Sequence, residues 1–291
     1  MKARELTSPS NPRVKAARRL RERREREETG LFLVEGPHVL EVALASGARL
    51  SEVFCTAEFL DSHAGLAERL EGGDWPVWRV SEGILEKVAG TEQPQGVVAV
   101  VEQSAVGSGQ SAVETQTGER RAQAPNLAAS CLLSSLPTGA APLILALEGV
   151  SDPGNVGNAI RAAHAAGASG VVLGPGCCDR FNPKAVRASA GGLFAVLSVE
   201  TEDLVGLLGR LRASGASVLA AVPREAKPFW EVDMAGPTVL VVGSEAHGLS
   251  ESVLAAATDR AMIPMPGGAE SLNAAAAAAV LLYEAVRQRK R

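Results

Sequence analysis

The chain has 291 residues, 46% of them hydrophobic but only 3% aromatic, with a formal net charge of −4. That length allows one large core or two modest ones, and a content rich in Ala, Val and Leu points to α/β rather than all-β packing. No apolar run reaches the roughly 18 residues that suggest a membrane span, and the start, MKARELTSPSNPR, has no apolar signal core, so a cytoplasmic protein with no membrane partner is expected.

The four cysteines, Cys55, Cys131, Cys177 and Cys178, form no CxxC or Cys/His spacing, so no metal site is expected and reduced thiols are the default. The neighbouring Cys177 and Cys178 read as packing. Charge is uneven: residues 1–30 carry ten Lys/Arg against five Asp/Glu, which leaves −9 for the other 261 residues. A local basic tract on an acidic chain hints at a polyanion partner. Its competing reading is a solvated helix whose glutamates at 22, 25, 27 and 28 pair with the arginines.

In chain order, Asn11-Pro12 caps a helix predicted over 11–28 that Gly30 ends. Phe32–Val34 forms a strand, Pro37–Ala45 a helix closed by Gly47, and Leu50–Phe59 a second strand with its extension. A helical piece at 66–70, a strand at 77–80, a capped helix at 81–88 and a strand at 96–101 follow. This predicts a small α/β domain over 1–102 without a catalytic constellation, since Glu35, His38 and His63 lack companions at telling spacings. From 103 to 141 the composition turns to Ser, Gly, Ala, Gln, Thr and Pro. A flexible linker is expected there, with at most one or two helical turns over 126–136.

Beyond it, over 142–291, strands and helices alternate. Strand 143–147, helix 153–166 and strand 170–173 lead to a helix begun at Asn182-Pro183. Strand 195–199, a helix capped by Thr201, strands 217–222 and 238–242, a short helix from Ser250, strand 262–264 and a long helix from Ser271 complete the pattern. Such alternation predicts a parallel sheet with helices on both faces and a ligand at the carboxyl ends of its strands.

Three stretches carry candidate chemistry. In the first, Asp152 caps a helix with Pro153 at its first position. At about 100° per residue Asn155, Asn158 and Arg161 share one arc, while Val156, Ala159, Ile160 and Ala163 share the buried one. In the second, a buried strand ends in Gly243, which would let a ligand approach the backbone, and Glu245 follows in a turn fixed by Gly248. In the third, Ser271, Leu272 and Asn273 open the Ala-rich last helix and gather free N–H groups and side-chain donors. Each has a bland alternative: a solvated helix face, a capping carboxylate, a plain core helix.

Together, Asn155-x-Gly157-x-x-x-Arg161, Gly243-Ser244-Glu245-x-x-Gly248 and Ile263-Pro264-Met265 with Ser271-Leu272-Asn273 closely resemble, in order and spacing, the three motifs of the SpoU/TrmH-type RNA ribose 2′-O-methyltransferases. The resemblance covers 143–288. Residues 5–102, with Phe32-Leu33-Val34-Glu35-Gly36 and Gln95-Gly96-Val97-Val98, look like the substrate-binding domain that often precedes it.

The resemblance implies a trefoil-knotted methyltransferase domain over 142–291 and an RNA-binding domain over 1–102. It implies S-adenosylmethionine (AdoMet) contacted by Gly243, Ile263 and Leu272, and a homodimer with its site at the interface. RNA is then the substrate, 23S ribosomal RNA ahead of transfer RNA. A non-catalytic RNA-binding or ribosome-assembly factor is the alternative from another class. The catalytic candidates are Arg161, Asn155, Glu245, Ser271 and Asn273. A guanidinium holds its proton up to about pH 12, so Arg161 is expected to hold the neighbouring phosphate and stabilise the developing alkoxide, with Asn155 orienting it. Glu245, Ser271 and Asn273 shape the site and place the ribose. Ala274-Ala275 stands where Val-Ser often follows Ser-Leu-Asn. An oxidoreductase is disfavoured because no strand leads into G-x-G-x-x-G.

Overall fold

The computed structural model describes residues 3–106 and 141–290, so most of the expected linker, including the helix proposed at 126–136, lies outside the described residues. The chain divides into two units, 1–106 with 179–195, and 107–178 with 196–291.

In the first unit, strand β1 (Arg4–Glu5) precedes helices α1 (Pro12–Arg19) and α2 (Arg23–Thr29), β2 (Leu31–Glu35), α3 (Pro37–Ala45), β3 (Leu50–Cys55), α4 (Ala57–Ser62), α5 (Ala64–Glu71), β4 (Val77–Arg79), α6 (Glu82–Ala89) and β5 (Val97–Glu102). The sheet order is β1-β4-β3-β5-β2. β4 lies parallel to β1 and β3, and β5 is antiparallel to β3 and β2. Val97 to Val101 are all buried, as expected of a strand covered on both faces. Val14, Ala17, Leu33, Phe54, Leu85 and Val98 belong to one core.

Asn11 caps α1 through Arg13 N–H, and Gly30 closes α2 at φ +67°. The single helix expected over 11–28 is broken at Leu20, which is buried. Arg26 Nη1 donates to the Leu20 carbonyl at 2.8 Å, so an α2 side chain takes up a carbonyl at the end of α1. β3 also stops earlier than expected. Thr56 accepts from Phe59 N–H at 3.2 Å and turns the chain into α4, so a hydroxyl cap outweighs the apolar run.

Among the described residues, five cations of the basic tract pair with carboxylates of their own unit. Arg19, Arg23 and Arg24 pair with Glu25, Glu27 and Glu28. Arg13 pairs with Glu52 and lies over Trp78. Arg26 is buried against Asp179.

Asp179 begins a segment, 179–195, that the sequence places in the second domain but that packs with the first unit. It contains α8 (Pro183–Ala188) and α9 (Gly192–Ala195), which follow helix α7 (Pro153–Ala165) of the other unit in chain order. Phe181 and Phe194 place their rings 4.7 and 6.1 Å from that of Phe32, and Arg187 donates to Glu35 at 2.7 Å. Aromatic contact and charge pairing across about 150 residues leave no periodic signature in sequence.

In the second unit, β6 (Leu143–Glu148), α7 (Pro153–Ala165), β7 (Gly170–Leu173), β8 (Ser198–Glu200), α10 (Leu204–Ala213), β9 (Ser217–Ala221), β10 (Lys227–Pro228), β11 (Thr238–Gly243), α11 (Glu251–Ala256), β12 (Asp259–Met262) and α12 (Ala274–Arg289) follow in turn. The sheet order is β10-β12-β9-β11-β6-β7-β8, parallel throughout. This is the expected parallel α/β architecture, with every strand's carboxyl end at one edge.

Several boundaries differ from expectation. The chain at 192–195 is helix, and β8 begins at Ser198. α10 is capped by Asp203, whose Oδ1 accepts from Gly206 N–H at 2.8 Å, while Thr201 accepts from Asp203 N–H. β12 begins three residues before the predicted strand and ends at Met262, so Ile263 and Pro264 are loop. α12 starts at Ala274 with Asn273, not Ser271, as its cap. Pro264, Pro266 and the Gly267-Gly268 pair keep the intervening chain out of regular structure.

Candidate active site

β11 is a buried apolar strand between β6 and β9, and Gly243 ends it. A Cβ there would lie 2.3 Å from the Gly248 carbonyl carbon and oxygen. Glycine at 243 is therefore required because the chain folds back onto itself, not simply to admit a ligand. Ser244 and Gly248 form an isolated antiparallel bridge, and Gly248 N–H donates to Ser244 O at 2.9 Å. Gly248 itself has φ +68°, a conformation open to glycine at no steric cost. Beyond the turn, Ser250 donates to both oxygens of the Glu148 carboxylate, through N–H and Oγ at 2.8 Å each. Loop 244–250 is thus tied to the ends of β11 and β6.

Glu245 joins the three motifs. Its Oε1 accepts from Asn155 Nδ2 at 2.5 Å and from the Ala274 N–H at 2.9 Å. Ala274 is the first residue of α12, so the carboxylate sits where free N–H groups and the helix dipole favour negative charge. Asn273 accepts from Ala276 N–H at 2.7 Å, and Asp152 fixes the start of α7 by accepting from Asn155 N–H at 2.9 Å. Two capped helices and one turn meet at one carboxylate oxygen.

A cavity of about 400 Å³ opens at the carboxyl ends of β9, β11 and β12, within the usual range for ligand sites. Its wall includes Val222, Gly243, Glu245, His247, Ile263 and Leu272. Of the residues expected from sequence, Gly243, Ile263, Leu272, Glu245 and Ser271 line it. Asn155 and Asn273 stand behind Glu245 and α12, and Asn155 hydrogen-bonds to Glu245 rather than to Arg161. Arg161 is exposed on α7, outside the cavity lining. Its side chain makes no hydrogen bond or ion pair among the described residues.

Sequence reading missed Ala221, Val222 and Pro223, at the end of β9, and Leu249 and Leu254, all on the wall. It also missed Glu148, which braces the loop. A carboxylate closing a buried strand was the available signal for Glu148. The β9 residues had none, because strand order is not visible in one sequence.

The cavity's chemistry fits AdoMet. Leu249, Leu254, Ile263, Leu272 and Ala277 offer apolar faces for an adenine, and Glu245 and Glu270 offer carboxylates to a cationic group. Among the described residues no three His, Cys, Asp or Glu side chains gather as a metal site. No described helix is long and apolar enough to cross a membrane.

The sequence profile of the SpoU rRNA Methylase family matches residues 142–283, and that of the MRM3-like substrate binding domain matches residues 11–99. An uncharacterized tRNA/rRNA methyltransferase of Synechocystis, slr1673, is 36% identical over 283 residues, 97% of this chain and 93% of its own length. The chain belongs to the SpoU methylase family. The Bacillus subtilis 23S rRNA (guanosine(2553)-2′-O)-methyltransferase RlmP is 30% identical over 96% of this SpoU-family chain and 98% of its own. The crystal structure of an AdoMet-bound rRNA methyltransferase from Sinorhizobium meliloti superposes with a TM-score of 0.77 at 30% identity, covering 98% of each chain.

Proposed function

We propose that this SpoU-family protein transfers the methyl group of AdoMet to the 2′-oxygen of a ribose in 23S ribosomal RNA. The observation that carries the reading is the cavity at the strand ends, where all three residues expected to hold AdoMet, Gly243, Ile263 and Leu272, share one wall. The rRNA substrate of RlmP, at near full-length similarity, supports the choice of RNA.

AdoMet, when bound, supplies an activated methyl group. The protein's part is alignment and charge stabilisation. Glu245, held by Asn155 and the α12 terminus, keeps loop 244–250 in place beside the cavity. Ser271 on the cavity wall and Asn273 at the α12 cap position the ribose. Arg161 holds the neighbouring phosphate and stabilises the developing alkoxide. Its exposure on α7, outside the lining, supports a homodimer in which each subunit completes the other's site. Residues 1–102 are then the RNA-binding domain, 103–141 the linker and 142–291 the methyltransferase domain, which carries the trefoil knot of its family, in a cytoplasmic enzyme.

Calorimetric titration with AdoMet, with NAD as control ligand, tests the site. Saturable binding of AdoMet alone is the expected result. A folded protein that binds neither would overturn the reading and favour a non-catalytic RNA-binding role.

A further inference from the structure

Methyl transfer to a hydroxyl needs a group that takes the hydroxyl proton, and Arg161 has no lone pair to offer. The titratable side chains on the cavity wall are Glu245, His247 and Glu270. Glu245 already spends Oε1 on Asn155 and the Ala274 N–H, and so serves to hold loop 244–250 in place. Glu270 belongs to the exposed Gly-Gly loop before α12, and carboxylates as a class are weaker bases than imidazole.

His247 stands on the best-built part of the wall. Its N–H donates to Ser244 Oγ at 3.1 Å, inside the turn closed by the Ser244–Gly248 bridge. Gly243 packs tightly beneath that turn, and Glu148 ties down its far end through Ser250. His247 lines the cavity and is exposed, so its imidazole is open to solvent and can return a proton to water.

We propose that His247 is a catalytic residue, the proton acceptor for the ribose 2′-hydroxyl; this rests on the methyltransferase reading above. The O–H bond breaks as the proton passes to an imidazole ring nitrogen, and the oxygen forms its bond to the methyl carbon. The sulfur–methyl bond breaks with its electron pair returning to sulfur. The products are a 2′-O-methyl ribose, S-adenosylhomocysteine and an imidazolium that releases its proton to solvent.

The first test follows the His247 ring by NMR across pH, with His247→Asn to assign its signal, in protein saturated with AdoMet or with S-adenosylhomocysteine. A sulfonium beside the ring disfavours the imidazolium, so His247 should titrate lower with AdoMet than with the neutral thioether; coincident curves overturn the proposal. The second measures single-turnover methylation of an unmodified 23S rRNA transcript. His247→Asn should lose about 10²–10⁴-fold in rate, keep AdoMet affinity, and lose the one-proton fall in rate toward low pH seen in wild type. A wild type that transfers methyl with His247→Asn unchanged overturns this proposal alone. A wild type that neither binds AdoMet nor transfers its methyl overturns the reading of the site and this proposal with it.

Discussion

The side-chain amide of Asn155 donates to Glu245 Oε1 at 2.5 Å across 90 residues of chain. The same oxygen takes the first N–H of α12, so one atom joins the starts of α7 and α12 to the loop after β11. Glu245→Ala removes an acceptor that two donors share, and hydrogen bonds to a charged group each contribute about 1.5–3 kcal/mol. Turnover is expected to fall by at least about 10²-fold, with Glu245→Gln, which keeps an oxygen acceptor, recovering part of it. Equal activity in wild type and Glu245→Ala would refute this role.

Arg161 is expected to act on the RNA rather than on AdoMet, because it does not line the cavity. Arg161→Ala should lose about 10²–10³-fold in turnover while its calorimetric AdoMet affinity stays at the wild-type level. Sedimentation of the wild type should give a dimer mass. A monomer with full activity would show that Arg161 reaches the site some other way.

Gly243→Ala should weaken AdoMet binding by displacing the turn, since the new methyl would meet the Gly248 backbone at 2.3 Å and backbone cannot swing aside as a side chain can. The thermal midpoint should fall together with the affinity. Lost affinity at unchanged stability would instead mean direct obstruction of the ligand.

The motif residues were legible because each lies on or next to an element with a local signature. Asp152-Pro153 announced α7, the valine run announced β11, and Ala-rich sequence announced α12. The meeting of Asn155, Glu245 and Ala274 was not legible from period or propensity, because it depends on β11 lying next to β6 in the sheet. Asn273, not Ser271, caps α12 because a proline and glycine segment holds the chain irregular up to that point. The docking of 179–195 in the first unit was hidden for the same reason: Phe32, Phe181 and Phe194 read singly as ordinary core aromatics.

The buried pair of Arg26 and Asp179, with side chains 2% and 10% exposed, makes a stability prediction. Arg26→Met removes one member of this buried pair and should cost about 3–5 kcal/mol. Adding Asp179→Asn should restore part of that, as read from urea unfolding. Additive losses in the double variant would show that the two side chains are not energetically coupled.

Burial raises the Cys55 thiol to about 12, with the charge of Glu71 adding to it, and raises Cys177 to about 11. Both should resist alkylation at pH 8 in the native protein, as peptide mass mapping would read. The folded state favours the protonated thiols, so their contribution is complete below the ordinary value of 9.0. It is lost as pH rises through the folded values. Stability of wild type should therefore fall more steeply above pH 9 than that of a Cys55→Ala, Cys177→Ala variant; parallel curves would contradict the assignment.

The most direct test of the central claim is incubation of the protein with methyl-labelled AdoMet and unmodified 23S rRNA, followed by alkaline hydrolysis. Label retained in an alkali-resistant dinucleotide is the predicted result, because a methylated 2′-oxygen cannot cleave the adjoining phosphodiester. Label released with mononucleotides, or no transfer by a protein that binds AdoMet, would contradict ribose 2′-O-methylation of this RNA.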